Sequence, residues 1–207
     1  MRKNVLAAVF AVVSSLSIFA QEKGDIEFGG NLGINYSTVS AGDKGSADVR
    51  TGFNVAISGE YYFSDRWGVK AKLIYDSKGW ANGFINNEVT GVNTVTDFKL
   101  NYITIPVMAN WHFGSTRKWY LNFGPYIGIL ASAKDSKFKM DVKEAFNTTD
   151  FGLAYGIGYK FPINEKAKMF LEYENQGGFN DIFKDNSGNS VSNSRGAFNI
   201  GVLMILK

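Results

Sequence analysis

From residue 25 onward the sequence repeats one device: stretches of nine to sixteen residues in which apolar side chains recur at every second position. A period of two is the signature of an extended strand with one apolar and one polar face. Eight such stretches are legible, at 25–39, 50–63, 67–76, 98–113, 119–134, 151–161, 168–176 and from 195 on. The sixth is the plainest, with Phe151, Leu153, Tyr155, Ile157, Tyr159 and Phe161 alternating with Gly152, Ala154, Gly156, Gly158 and Lys160. The fourth is irregular. Ile103, Ile105, Val107, Trp111 and Phe113 share one parity, whereas Phe98, Leu100 and Tyr102 fall on the other, which predicts a bulge or register change near Tyr102.

The connections alternate too. Three are short and turn-like (64–66, 114–118 and 162–167), and four are longer and rich in Gly, Asn, Asp, Ser and Lys (40–49, 77–97, 135–149 and 177–194). Because the short ones follow even-numbered strands, every long loop falls at one end. Outer-membrane barrels have this asymmetry, with short periplasmic turns and long external loops. The rings of Phe63, Trp67, Trp111, Phe113, Trp119, Tyr159 and Phe161 flank only the short turns. They are expected to form a girdle at the periplasmic interface, where amphipathic rings prefer to sit. A soluble barrel with its apolar face inward is the alternative, and it would leave Glu60, Lys70, Glu172 and Glu174 outside. The predicted fold is all-β: an eight-stranded antiparallel up-and-down transmembrane β-barrel, both termini periplasmic, in the cell outer membrane.

The first 20 residues differ from the rest. Arg2 and Lys3 precede an apolar core at 5–13, then Ser14, Ser15 and Ser17 lead to Ala20. This is the three-part pattern of a secretory signal peptide, with cleavage expected after Ala20, leaving 21–207 as the barrel domain. Cleavage would remove two of the 22 basic residues and none of the 19 acidic ones, for a net charge of +1, so nothing points to nucleic acid. The absence of cysteine excludes disulfides and thiolate chemistry. After the signal no 18-residue apolar run occurs, so no membrane-spanning helix is expected. The mean hydropathy of −0.11 is compatible with a membrane barrel, whose alternating faces cancel in an average.

Four segments, 100–106 (LNYITIP), 121–130 (LNFGPYIGIL), 150–159 (DFGLAYGIGY) and 170–177 (FLEYENQG), resemble the outer-membrane β-barrel domain family. More finely, they resemble its small "porin family", the PorT-like proteins of Bacteroidetes-type bacteria. The resemblance implies a barrel and says little of activity. Residues 199–206 also resemble the C-terminal signal read by the barrel-assembly machinery, with aliphatic residues where aromatics are usual and Lys207 following.

Eight strands enclose a bore that side chains fill. On this register Arg50, Glu60, Lys70, Lys72, Asp76, Lys160, Glu172 and Glu174 face it, with Arg195 as a further member. Lys70 and Lys72 on the third strand are placed to meet Glu172 and Glu174 on the seventh. Buried charges must pair or neutralise, so a salt-bridge network is expected, with a gated ion or proton path as the alternative. The sole histidine, His112, lies beside a short turn with Asn110 on its own face, which suits a structural role. No catalytic residue, metal site or cofactor is indicated.

Function is therefore expected in the loops. Trp80, Phe84 and Ile85 in the second long loop are candidates for a contact site or for packing over the barrel mouth. Lys134, Lys137, Lys139 and Lys143, with Phe138 and Met140, could meet anionic lipopolysaccharide or form a plain solvated face. The expected role is structural or interactive through extracellular loops, with narrow or gated passage of small solutes or ions, or service in a secretion assembly, as alternatives. Expected partners are outer-membrane lipid and lipopolysaccharide, the assembly machinery during biogenesis, and an unidentified protein.

Overall fold

The computed structural model describes residues 22–41, 46–87 and 92–206; the expected signal peptide and Lys207 lie outside the described residues. The strands are β1 (Ile26–Ser40), β2 (Asp48–Tyr62), β3 (Trp67–Asn87), β4 (Val92–Phe113), β5 (Trp119–Asp135), β6 (Thr149–Pro162), β7 (Ala167–Gly178) and β8 (Ser192–Leu206). Each pairs antiparallel with its sequence neighbour, and β1 pairs with β8 from Ile26↔Leu206 to Ser40↔Ser192. The sheet is thus a closed hydrogen-bonded ring of eight strands, which leaves no edge unpaired along the wall.

Burial is inverted relative to a soluble barrel. Leu32 and Ile57 are 62% and 64% exposed, while Glu60, Lys70, Asp76 and Glu172 are buried. Every strand carries exposed aliphatic or aromatic side chains outward, a continuous apolar exterior that only lipid can cover. This arrangement excludes the soluble alternative.

The structure differs from the sequence reading at the long-loop end. The second long connection is not a loop: β3 and β4 run 21 and 22 residues, and their ladder continues past a register shift at Trp80/Gly83 to Asn87↔Val92. Glycines and asparagines mask the alternation of this segment. Near Tyr102 the bulge belongs to β5. Asn101 pairs with Ser132 and Tyr102 with Leu130, so Ala131 is the extra residue. β4 keeps its parity, with Phe98, Leu100, Tyr102, Thr104, Met108 and Asn110 all buried on the inner face.

Candidate functional site

The candidate site is the barrel interior together with the long-loop end that covers it. Near the short turns, Lys160 Nζ lies 2.5 Å from Glu27 Oε2 and 2.9 Å from Glu60 Oε2. Lys168 Nζ reaches the other Glu27 oxygen at 2.6 Å. Tyr62 donates its hydroxyl to Glu27 Oε2 at 2.9 Å, and Asn110 Nδ2 donates to Glu60 Oε1 at 2.7 Å. His112 Nε2 stands 2.9 Å from that same Glu60 oxygen, which ties the only histidine into the network.

Midway up, Glu172 is the hub. It accepts from Lys70 Nζ at 2.9 Å, from Tyr120 OH at 3.0 Å, from Asn122 Nδ2 at 2.7 Å and from Lys72. Lys72 also meets Glu174 at 2.5 Å. Gly158 makes this possible, because a Cβ there would stand 2.2 Å from Tyr120 Cζ. Higher still, Arg195 bridges Asp76 (Nε to Oδ1, 3.1 Å) and Glu174 (Nη1 to Oε1, 2.8 Å), and Lys78 meets Asp150 at 2.9 Å.

The ions of this network balance. Lys70, Lys72, Lys78, Lys160, Lys168 and Arg195 face Glu27, Glu60, Asp76, Asp150, Glu172 and Glu174, six charges of each sign; the one further buried carboxylate among the described residues, Asp135 at the long-loop end, accepts the backbone N–H groups of Phe138 and Met140 instead of an ion. Removing an ion from water costs several kcal/mol even after relaxation, and only paired, hydrogen-bonded geometry offsets it. The pattern of polar residues within an apolar shell is therefore a packed ionic core.

Above the ions the interior changes character. Val39, Trp80, Phe98, Leu100, Tyr102, Leu130, Ala133, Phe146 and Ile182 form a buried apolar cluster at the long-loop end. Phe146 and Ile182 come from the third and fourth long connections, so these fold over the mouth. Of the two expectations for Trp80, a loop contact or packing over the barrel mouth, the structure has the second: the ring is only 7% exposed and stacks on Phe98 with ring centroids 4.6 Å apart. The reason is the strand itself: Trp80 continues the inward even-numbered row of Lys70, Lys72, Ile74, Asp76 and Lys78, paired in register with the inward Phe98, and Gly79, at φ +126°, lies against the Phe98 carbonyl where no Cβ would fit. Ile85 packs against the same cluster, and Phe84 points out, 68% exposed.

Arg50 also departs from expectation. The β2–β3 register shifts between Val49 and Asn54. Arg50 is half-buried at that irregularity, its Nη1 donating to the Lys78 carbonyl at 3.2 Å, and it forms no ion pair among the described residues. Sequence reasoning missed Glu27, Lys78, Asp150 and Lys168 as interior ions. Glu27 and Lys168 sit at strand ends among apolar neighbours, and Lys78 fell within the supposed loop.

Outside, at the short-turn end, the rings form a chain. Trp67–Trp111, Trp111–Phe113, Phe113–Trp119, Trp119–Tyr159 and Tyr159–Phe161 follow one another at centroid separations of 6.1, 5.2, 6.3, 4.9 and 4.7 Å. Phe63 is exposed at the same end, beyond β2.

No curated protein matches the sequence. Among solved structures, the outer membrane protein OprG of Pseudomonas aeruginosa aligns with a TM-score of 0.51 at 14% identity, over 90% of this chain and 98% of that one. A major outer membrane protein from Thermus thermophilus aligns with a TM-score of 0.51 at 12% identity, over 87% of this chain and 99% of that one. At such identities the likeness speaks for the fold alone. Residues 19–184 match the outer membrane protein beta-barrel domain, and that span contains most of the ring just described. With its apolar exterior and its eight-stranded closure, the chain belongs to the outer membrane protein beta-barrel domain family and resides in the cell outer membrane.

Proposed function

We propose that this protein is a non-conducting barrel that serves as a structural and interaction element through its long-loop end, which faces the cell exterior. The observation carrying the reading is the closure of the interior: ion pairs cross it from Glu27 to Asp150, and the Trp80–Phe146–Ile182 cluster covers the upper mouth. What remains for partners is the surface that the loops present, including the Phe84–Val95 face of the β3–β4 hairpin. The ring of aromatics by the short turns supports placing that end at the periplasmic interface, with outer-membrane lipid and lipopolysaccharide around the wall. The reading contains no catalytic step, since His112 is engaged with Glu60 at the short-turn end.

The test pairs planar-bilayer recording with protease treatment of whole cells. Absence of single-channel steps, with cleavage confined to the long loops, is the expected result. Discrete conductance from the wild-type barrel would replace this reading with narrow or gated passage. A second reading, service in a secretion assembly as the PorT-like resemblance implies, is favoured by the Phe84–Val95 pair standing exposed above the rim. Co-purification of a secretion component, lost in Phe84→Ser, would establish it.

A further inference from the structure

The third long connection does not stand away from the barrel. Val142 N donates to the Ala133 carbonyl at 3.0 Å, Asp141 forms a bridge with Lys134, and Lys143 Nζ donates to the Ala131 carbonyl at 3.2 Å. The Ala131 bulge transfers the outward row of β5 from odd to even residues, so Ser132 and Lys134 face out directly opposite Asn101 and Lys99 of β4. Like charges directly opposite one another destabilise an antiparallel pair. Neither Lys99 nor Lys134 forms an ion pair among the described residues. The nearby carboxylates form no ion pair with these lysines among the described residues: Asp97 accepts the backbone N–H of Asn82, Asp141 that of Lys143, and Glu144 stands exposed on the same turn. Below the lysines, Asn101 is only 8% exposed; its Nδ2 donates to Ser132 Oγ at 2.8 Å, and its Oδ1 has no partner. An unmet buried acceptor is costly and calls for a donor.

The height of this cluster is defined by the ring of tryptophans. Lys99 lies twelve residues above Trp111 on the same strand. A strand tilted by about 40° gains roughly 2.5 Å of height per residue, so Lys99 stands ~30 Å above the ring, just past an apolar band of about 25 Å. Outward Ile105, Ile127 and Ile129 lie beneath it, exposed to lipid.

We propose that Lys99, Lys134 and Lys143, with Asn101 and Ser132, form a site for the phosphorylated headgroup of an outer-leaflet glycolipid. The ammonium groups meet the phosphate, the orphan Asn101 oxygen accepts a sugar hydroxyl, and the acyl chains run down over the isoleucines. A bare phosphate ion is mainly an acceptor and leaves Asn101 unsatisfied, and so the sugar is part of the match. The inference rests on the long loops being external.

The experiment is titration of the folded, detergent-solubilised full-length barrel with bisphosphorylated lipid A, dephosphorylated lipid A and inorganic phosphate, read by native mass spectrometry. The triple variant K99Q/K134Q/K143Q is expected to bind bisphosphorylated lipid A on the order of tenfold more weakly, with its heat-modifiable gel shift unchanged. Asn101→Leu should weaken lipid A but spare a phosphorylated alkyl chain that lacks sugar. Equal binding by the triple variant and parent overturns the site, as does an equal loss in the short-turn control K118Q/K166Q. Competition by inorganic phosphate at the same concentration as lipid A also overturns it, in favour of a simple anion site. Whole-cell proteolysis separates the premises: protection of residues 137–139 from external protease defeats the orientation, whereas external cleavage with unaltered lipid A binding defeats this site alone.

Discussion

Lys70 and Glu172 meet across the full width of the barrel: they lie on β3 and β7, which are not neighbours in the ring, with Nζ 2.9 Å from Oε2. Glu172 also receives Lys72, Tyr120, Asn122 and, at 3.5 Å, Asn199, so its charge is shared among five donors. Glu172→Gln leaves Lys70, 1% exposed, without its hydrogen-bonded countercharge. The expected loss is about 3–5 kcal/mol in urea unfolding followed by gel mobility. Replacing Lys70 and Glu172 together with apolar residues of similar volume should cost less than the single change, because one charge of each sign leaves and Lys72 keeps Glu174. A single variant as stable as the parent would show the hub to be dispensable.

Gly158 is a packing requirement of the same hub. Gly158→Ala places a methyl against the Tyr120 ring, and an overpacking loss of about 1–3 kcal/mol is expected. The control is Gly59→Ala, where a Cβ meets nothing within 4 Å and stability should stay within about 0.5 kcal/mol of the parent. Urea midpoints for the two variants check the contrast.

Trp80 and Phe84, four residues apart, should respond oppositely. Trp80→Ala opens the apolar cluster and should cost about 3–5 kcal/mol, with faster limited proteolysis of the third and fourth long connections. Phe84→Ala removes an exposed ring and should leave unfolding within about 0.5 kcal/mol of the parent.

Deleting Ala131 should act beyond its size. Without the extra residue the row carrying Ala133 and Asp135 turns outward, and Asp135 loses its place accepting from Phe138 N at 2.6 Å and Met140 N at 2.7 Å. Lower assembly yield and rapid proteolysis at 136–142 are expected, whereas Ala131→Ser should behave as the parent does.

The wall of the barrel was legible in the sequence because lipid outside and ions inside give each strand two unlike faces. The legibility failed where that contrast failed. Phe98, Leu100 and Tyr102 looked like a change of face, yet they remain inward, and what changes is the interior itself, from ionic to apolar. A hydrophobicity pattern reports which face a residue occupies only while the two surroundings differ. Lys78 was hidden for a related reason: the glycines and asparagines that follow it resemble a loop, although the β3–β4 ladder runs on through them. Arg50 keeps the parity of β2 and stands opposite the buried Ser37, but near the strand end it meets the Lys78 carbonyl and, among the described residues, forms no ion pair with a carboxylate, which the alternation alone does not show.

The ion pairs have a consequence for how the barrel comes into being. Except for Arg195–Glu174, each ion pair that crosses strands in the interior joins strands that do not adjoin: Lys70 and Lys72 to Glu172, Lys72 to Glu174, Lys78 to Asp150, Lys160 to Glu27 and Glu60, Lys168 to Glu27, and Arg195 to Asp76. None of these partners can find one another in a hairpin or a half-sheet. A partly assembled sheet in the bilayer would hold its charges unpaired in a medium that does not tolerate them. Insertion and closure are therefore coupled into one cooperative event, and the electrostatics that make the finished barrel compact forbid it to pause halfway.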